Sequence, residues 1–178
     1  MRIIAGTWRG RQIIAPKGDA TRPTADRTRE ALFSMLTSRL GSFEELAVAD
    51  LFAGSGALGL EALSRGAASC VFVEQDKAAL DALRANLAKL ETKGDVRPQS
   101  VLALARVTQP LDLILMDPPY GTGAGAVALD KLSRLGWTGP ATWISIETAR
   151  DETVAVDGFA IDVERVHGKA KLTILRTI

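Results

Sequence analysis

The chain has 178 residues, 47% of them hydrophobic, enough for one well-packed domain and too few for two generous ones. No apolar run approaches a membrane span, and Arg2, Arg9 and Arg11 without a long apolar stretch beside them do not read as a signal peptide, so no membrane contact and a cytoplasmic location are expected. The net charge is +1, and a single cysteine, Cys70, with a single histidine, His167, offers neither an internal disulfide nor a metal-ligand cluster, so no metal is expected.

The charge is unevenly spread. Residues 1 to 39 hold eight Lys or Arg against three Asp or Glu, a balance of +5, while the other 14 basic and 18 acidic residues give −4. Such a local basic footprint is a candidate phosphate-binding surface. Within it, two short β-like runs between Arg2 and Ala15 flank Thr7-Trp8-Arg9-Gly10 and predict a hairpin. Arg9 and Arg11, two apart on a strand, should share a face and track neighbouring phosphates. Trp8 either stacks on a base or pins the hairpin to the rest of the molecule. Pro16 to Pro23 reads as a loop of turn residues, and the helical spacing of Ala31, Leu32, Met35, Leu36 and Leu40 predicts a helix with Thr24 as N-cap and Gly41 as its stop.

Strand and helix then alternate. Strands are expected near 47–52, 69–74, 95–99, 111–116 and 142–147, with helices near 57–65, 77–92, 101–107 and 124–135, which implies a parallel sheet covered on both faces. The end differs: Phe159 to Val166 and Lys171 to Ile178 form a closing hairpin turning at His167-Gly168-Lys169, with Arg165, Lys169 and Lys171 a candidate second phosphate contact. Cys70, in an apolar strand, is a small core residue.

Two motifs carry chemistry. Asp50-Leu51-Phe52-Ala53-Gly54-Ser55-Gly56-Ala57-Leu58-Gly59 runs from a strand end through a glycine loop into a helix, where glycines allow close approach of the backbone and the helix N-terminus presents free N–H groups. An acid before the loop suits a ligand carrying an ammonium group, as S-adenosylmethionine does, better than a pyrophosphate; Glu74, ending the next strand, could accept both ribose hydroxyls. The second motif is Asp117-Pro118-Pro119-Tyr120. An exocyclic amine on a base is a poor nucleophile because its lone pair is delocalised, and acceptors on both N–H groups free it. Asp117 could accept one hydrogen and the Pro118 carbonyl the other, while Tyr120 lays its ring on the flat face of the target beside Pro119. Gly121, Gly123 and Gly125 could let the following loop close over it.

With these motifs in view, the chain resembles the RsmD-type methyltransferases. The resemblance spans nearly its whole length: Arg2-Ile3-Ile4-Ala5-Gly6 with Arg9-Gly10-Arg11, Arg22-Pro23-Thr24 with Asp26-Arg27, the loop from Asp50 to Gly59, and Asp117 to Tyr120. It implies S-adenosylmethionine as cofactor and the N2 amine of a guanine in 16S ribosomal RNA, the guanine-966 class, as target. The implied partner is small-subunit ribosomal RNA or an assembled or assembling small subunit; the sequence leaves oligomeric state open. Also implied is a class I, Rossmann-like α/β fold with a seven-stranded, mostly parallel sheet in the order 3-2-1-4-5-7-6. One domain over 1–178 is expected, a basic extension (1–40) leading into the cofactor-binding and catalytic core (41–178). Asp50, Phe52, Gly54, Gly56, Glu74 and Thr24 would hold the cofactor, Asp117, Pro118 and Tyr120 would act on the base, and Arg9, Arg11, Arg22, Pro119 and Tyr120 would bind substrate. Where related enzymes often face adenine with an acid, this chain has Gln99-Ser100-Val101, so Ser100 or the backbone of Val101 has to serve. The residues themselves leave open methylation at adenine N6, cytosine N4 or a protein glutamine, a non-catalytic assembly factor on the same fold, and an NAD-linked oxidoreductase, which Asp50 disfavours.

Overall fold

The computed structural model describes residues 1–15 and 22–178, with the backbone alone for 22–24. Its centre is a seven-stranded sheet in the order β3-β2-β1-β4-β5-β7-β6, comprising β1 (Ala47–Leu51), β2 (Ser69–Glu74), β3 (Asp95–Pro98), β4 (Leu113–Met116), β5 (Trp143–Ala149), β6 (Phe159–His167) and β7 (Ala170–Thr177). The first five strands are parallel, and β7 pairs antiparallel with both β5 and β6. The helices are α1 (Arg22–Leu40), α2 (Ala57–Ser64), α3 (Lys77–Lys89) and α4 (Ala124–Arg134).

Side-chain alternation sorts the strand residues between two cores. Leu113 and Leu115 join Val48 and Phe72 with Leu36 of α1, Leu60 of α2 and Leu83 of α3 on one face. Ile114 and Met116 join Ala49, Leu51 and Val73 with Leu129 and Leu132 of α4 and Trp137 on the other. All four residues of β4 are buried, which explains why it reads as an unbroken apolar run.

Three expectations about helix ends and the closing hairpin need correction. Thr24 does not cap α1, because the helix begins two residues earlier, at Arg22; Pro23 is tolerated there since first-turn amides have no helical acceptor. The predicted helix over 101–107 is only a 3-10 turn at Val101–Ala103. His167 is the last residue of β6, and the hairpin turns on Gly168 and Lys169, with Gly168 at φ 63° in the left-handed position such a two-residue turn requires.

The N-terminal extension is a minimal hairpin with one bridge, Arg2 to Gln12, and its turn is sewn to α2 by polar side chains. Glu61, fully buried, accepts from the amides of Ile4 (2.9 Å) and Ala5 (3.0 Å) and from Arg65 Nε (3.0 Å). It also faces buried Arg29 at 3.7 Å; Arg29 in turn pairs with Asp26 (3.1 Å) and donates to the Arg2 carbonyl. Ser64 Oγ donates to the Ala5 carbonyl and accepts from the Trp8 amide. Trp8 is partly buried and packs against the core, which supports the pinning role. Arg9 and Arg11 do not share a strand face: Arg9 lies in the turn, and Arg11 donates to the Lys89 carbonyl at 2.6 Å, satisfying the C-terminus of α3. Part of the +5 balance is thus committed internally, to Asp26 and Glu61 through Arg29 and to Asp162 through Arg39 at 2.7 Å. Likewise Lys171 faces Glu164 at 3.6 Å and donates to the Glu152 carbonyl.

Candidate active site

Parallel packing brings the carboxyl ends of β1 and β4 side by side, with Leu51 opposite Met116. The glycine loop leaves one and Asp117 follows the other, at the switch point where open α/β sheets bind ligands. A cavity of about 660 Å³ opens there, lined by Asp50 of β1, Phe52, Gly54 and Ser55 from the loop, Asp117 to Tyr120 just after β4, Thr28 and Arg29 from α1, and Glu147 and His167. A second, of about 400 Å³, holds Glu74, Gln99, Ser100 and Val101. Phe52 and Pro119 line both, so the two chambers adjoin across these residues.

The loop has reasons for its glycines. Gly54 and Gly56 sit at φ 57° and 87°, where L side chains are strained. A Cβ on Gly54 would meet nothing, leaving its backbone open to a ligand, whereas one on Gly56 would lie 2.4 Å from Leu83 Cδ1 and one on Gly59 2.4 Å from Phe72 Cε1. The first two residues of the pattern shape the turn and the third lets α2 sit on β2. Phe52 holds a left-handed backbone at φ 60° without being glycine, a strained geometry of the kind found at ligand sites. Asn86 of α3, fully buried, donates to the Ser55 carbonyl at 3.0 Å and grips both the amide and the carbonyl of Ile14, tying the loop to the N-terminal extension.

Asp50 is 1% exposed. Its Oδ2 accepts from the Gly59 amide at 2.8 Å, while Oδ1 is buried without a hydrogen-bond partner among the described residues. Burial pushes the Asp50 carboxyl well up; the Gly59 amide opposes this, and the charges of Asp117 and Glu74 add to it. A cationic ligand relieves such crowding of acids. Glu74 is more occupied than its sequence position suggests: Oε2 accepts from the Gly54 amide at 2.8 Å and Oε1 from the amides of Gln75 and Asp76, both at 2.9 Å. Its carboxylate therefore organises the loops as well as facing the second chamber. Ser100 Oγ accepts from the Leu102 amide at 3.2 Å, and Val101 is buried. The expected side-chain roles of Thr24 and Arg22 lie outside the described residues.

Asp117 is exposed to the larger cavity, Pro118 is buried, and the Tyr120 ring is 46% exposed at the mouth. The phenol of Tyr120 donates to Glu147 Oε1 at 2.5 Å. Burial, that hydrogen bond and the adjacent negative charge push the phenol up, so it remains a protonated donor. The loop beyond is anchored: Thr122 Oγ1 donates to the Pro119 carbonyl at 2.7 Å, and the amides of Gly121, Ala149 and Gly123 hold the Glu152 carboxyl below its usual range. Gly125 belongs to α4, not to that loop, and a Cβ there would lie 2.7 Å from Ile146 Cγ2. Glu147, His167 and Asn86 were not singled out for the site from sequence. For Glu147 a signal existed, since it is an acid near the carboxyl end of a predicted core strand, as Glu74 is.

The strand order, the glycine loop after β1, the acid ending β2 and Asp-Pro-Pro-Tyr after β4 define a class I methyltransferase, whose cofactor is S-adenosylmethionine. The residues fit that cofactor: the unpartnered Asp50 oxygen and crowded acids suit its positive charges, and the open backbone at Gly54 allows close approach. Residues 1–176 match the family described as Conserved hypothetical protein 95, and the chain belongs to it. The ribosomal RNA small subunit methyltransferase D of Escherichia coli K12 is 39% identical over 151 residues, 83% of this chain and 74% of that protein. Its namesake in Haemophilus influenzae is 37% identical over 158 residues, 85% and 80% of the two chains. A solved structure described as putative methyltransferase yhhF from Escherichia coli superposes with a TM-score of 0.85 at 31% identity, covering 99% of this chain and 97% of that one. Among the described residues, no helix is long and apolar enough to cross a membrane.

Proposed function

We propose that this chain methylates the N2 amine of a guanine in small-subunit ribosomal RNA, in the guanine-966 class, acting on an assembled or assembling subunit. The observation that carries the reading is one cavity bordered by both the glycine loop with Asp50 and the Asp117-to-Tyr120 motif. The names of the relatives support ribosomal RNA as the substrate class.

Asp50, Phe52, Gly54 and Gly56 would hold the cofactor in the larger chamber, and Glu74, Ser100 and Val101 would hold it in the smaller. When bound, S-adenosylmethionine supplies a methyl group activated on a sulfonium. The chain's own task is to hold the amine. A guanine turned out of its stack lies against Tyr120 and Pro119, giving its N2 hydrogens to Asp117 and to the Pro118 carbonyl, which restores lone-pair density to the nitrogen. Positioning of this kind needs no covalent enzyme intermediate, and Asp117 need not be a strong base because the amine becomes acidic as the new bond forms. Arg9 and Arg11, both exposed, meet phosphates around the target.

Mass mapping of methylated nucleosides in ribosomal RNA, from cells with and without the protein, tests this directly. N2-methylguanosine should disappear from one position of the small-subunit RNA. Loss of N6-methyladenosine or N4-methylcytidine instead, or no change in any nucleoside, would overturn it.

A further inference from the structure

The Tyr120–Glu147 pair is left unused by the chemistry above. Asp117 and Glu147 each lie one residue beyond the last paired rung of β4 and β5, Met116 with Ile146, so the two residues stand at the same level on adjacent strands, and both line the larger cavity. Glu147 Oε1 is engaged by the Tyr120 phenol at 2.5 Å, which fixes the side chain to the ring expected to stack on the base. Oε2 is the oxygen not taken up by that bond. Across the cavity, His167 of β6 has its Nδ1 3.2 Å from Thr28 Oγ1 of α1. Burial pushes the Glu147 carboxyl up, while the Tyr120 hydroxyl and the charge of His167 favour its ionised form.

A carboxylate beside another carboxylate is a receptor for adjacent N–H donors. Among the bases, guanine presents such a row, its ring N1–H next to its N2 amine, whereas adenine presents a bare N1 lone pair that a carboxylate repels. Resting on the guanine reading above, we infer that Glu147 is a specificity-determining residue, pinned by the Tyr120 hydroxyl so that its second oxygen accepts the N1–H of the target base while Asp117 accepts from N2. Ser145 and Ile146 precede it within the sheet and are buried, so the side chain is presented from rigid strand and not from a loop, as a discriminating contact requires.

The test uses the full-length protein with reconstituted small subunits whose RNA carries either guanine or 2-aminopurine at the target. The analogue keeps the N2 amine but has no O6 and carries a lone pair in place of N1–H, so the comparison between wild type and Glu147→Gln isolates the N1 contact. Wild type should prefer guanine by roughly a hundredfold or more in kcat/KM, the scale at which a buried acceptor rejects a partner lacking its hydrogen. Glu147→Gln can donate from its amide to a bare N1, so its preference should fall by about tenfold or more, chiefly through slower guanine turnover. Tyr120→Phe removes the pin but leaves the carboxylate, so it should lower activity on both bases while retaining most of the preference. S-adenosylmethionine titration of each variant reports that the pocket is folded. If Glu147→Gln kept the wild-type preference, the base-reading role would be overturned. If wild type modified an adenine or cytosine amine instead, the underlying guanine reading would fail, a distinguishable result.

Discussion

Removing the Glu61 carboxylate should loosen the N-terminal extension and cost a large share of the stability. Glu61 is 0% exposed and serves four partners: the amides of Ile4 and Ala5, Arg65 Nε and, at 3.7 Å, Arg29 Nε. In Glu61→Ala, Arg29, itself 4% exposed, loses part of its compensation, and two backbone amides lose their acceptor. Breaking a buried ion pair by deleting one partner commonly costs about 3–5 kcal/mol. Arg29 keeps Asp26 at 3.1 Å and the Arg2 carbonyl, and the Arg65 side chain is 16% exposed and reaches water, which places the effect near the low end, about 3 kcal/mol. For a chain of this size that lowers Tm by roughly 6–12 °C. Urea unfolding gives the total, and hydrogen exchange should show the Ile4 and Ala5 amides opening first. A loss under about 1 kcal/mol, the range of ordinary surface substitutions, would refute the idea that Glu61 clamps the extension.

Asp117→Ala should reduce turnover by on the order of a hundredfold or more while calorimetry shows S-adenosylmethionine still binding, since in the proposed mechanism the deleted carboxylate holds the reacting amine; near-normal turnover would sink that mechanism. Glu74→Ala should weaken cofactor affinity by roughly 1.5–3 kcal/mol, and because the same carboxylate holds the Gly54 amide, amide exchange through the glycine loop should rise as well; unchanged affinity would remove Glu74 from the site. Replacing Arg9 and Arg11 together by alanine should weaken subunit binding and flatten its salt dependence, by somewhat under one unit of slope for each phosphate no longer neutralised. Arg11→Ala alone also frees the Lys89 carbonyl, so a wild-type salt slope in the double variant would mean that Arg11 serves only to cap α3 and that RNA is held elsewhere.

Much of the architecture is legible in the residues because its signals are local and periodic. Strand-length apolar runs such as Leu113 to Met116, helical spacing in Leu32 to Leu40, and glycines at most of the left-handed turns all act within a few residues, and together they determine an alternating parallel sheet with both motifs at strand ends. The same locality misled at Val101, where apolar residues suggested a helix but the chain has room for one 3-10 turn, and at Arg9 and Arg11, where the turn takes in the first arginine and breaks the alternation.

What only tertiary structure decides is which partner each polar side chain finds. A carboxylate reads alike wherever it stands, so nothing in the sequence separates Glu61, which binds residues 57 and 56 positions away, from an exposed helical acid. Asn86 joins α3 to both Ile14 and the glycine loop, and Glu147 meets Tyr120 only because β5 lies beside β4 in the sheet. Burial removes water as the competing partner, so each such group must find a protein atom or a ligand; which of these it finds depends on distances that exist only once the chain has folded.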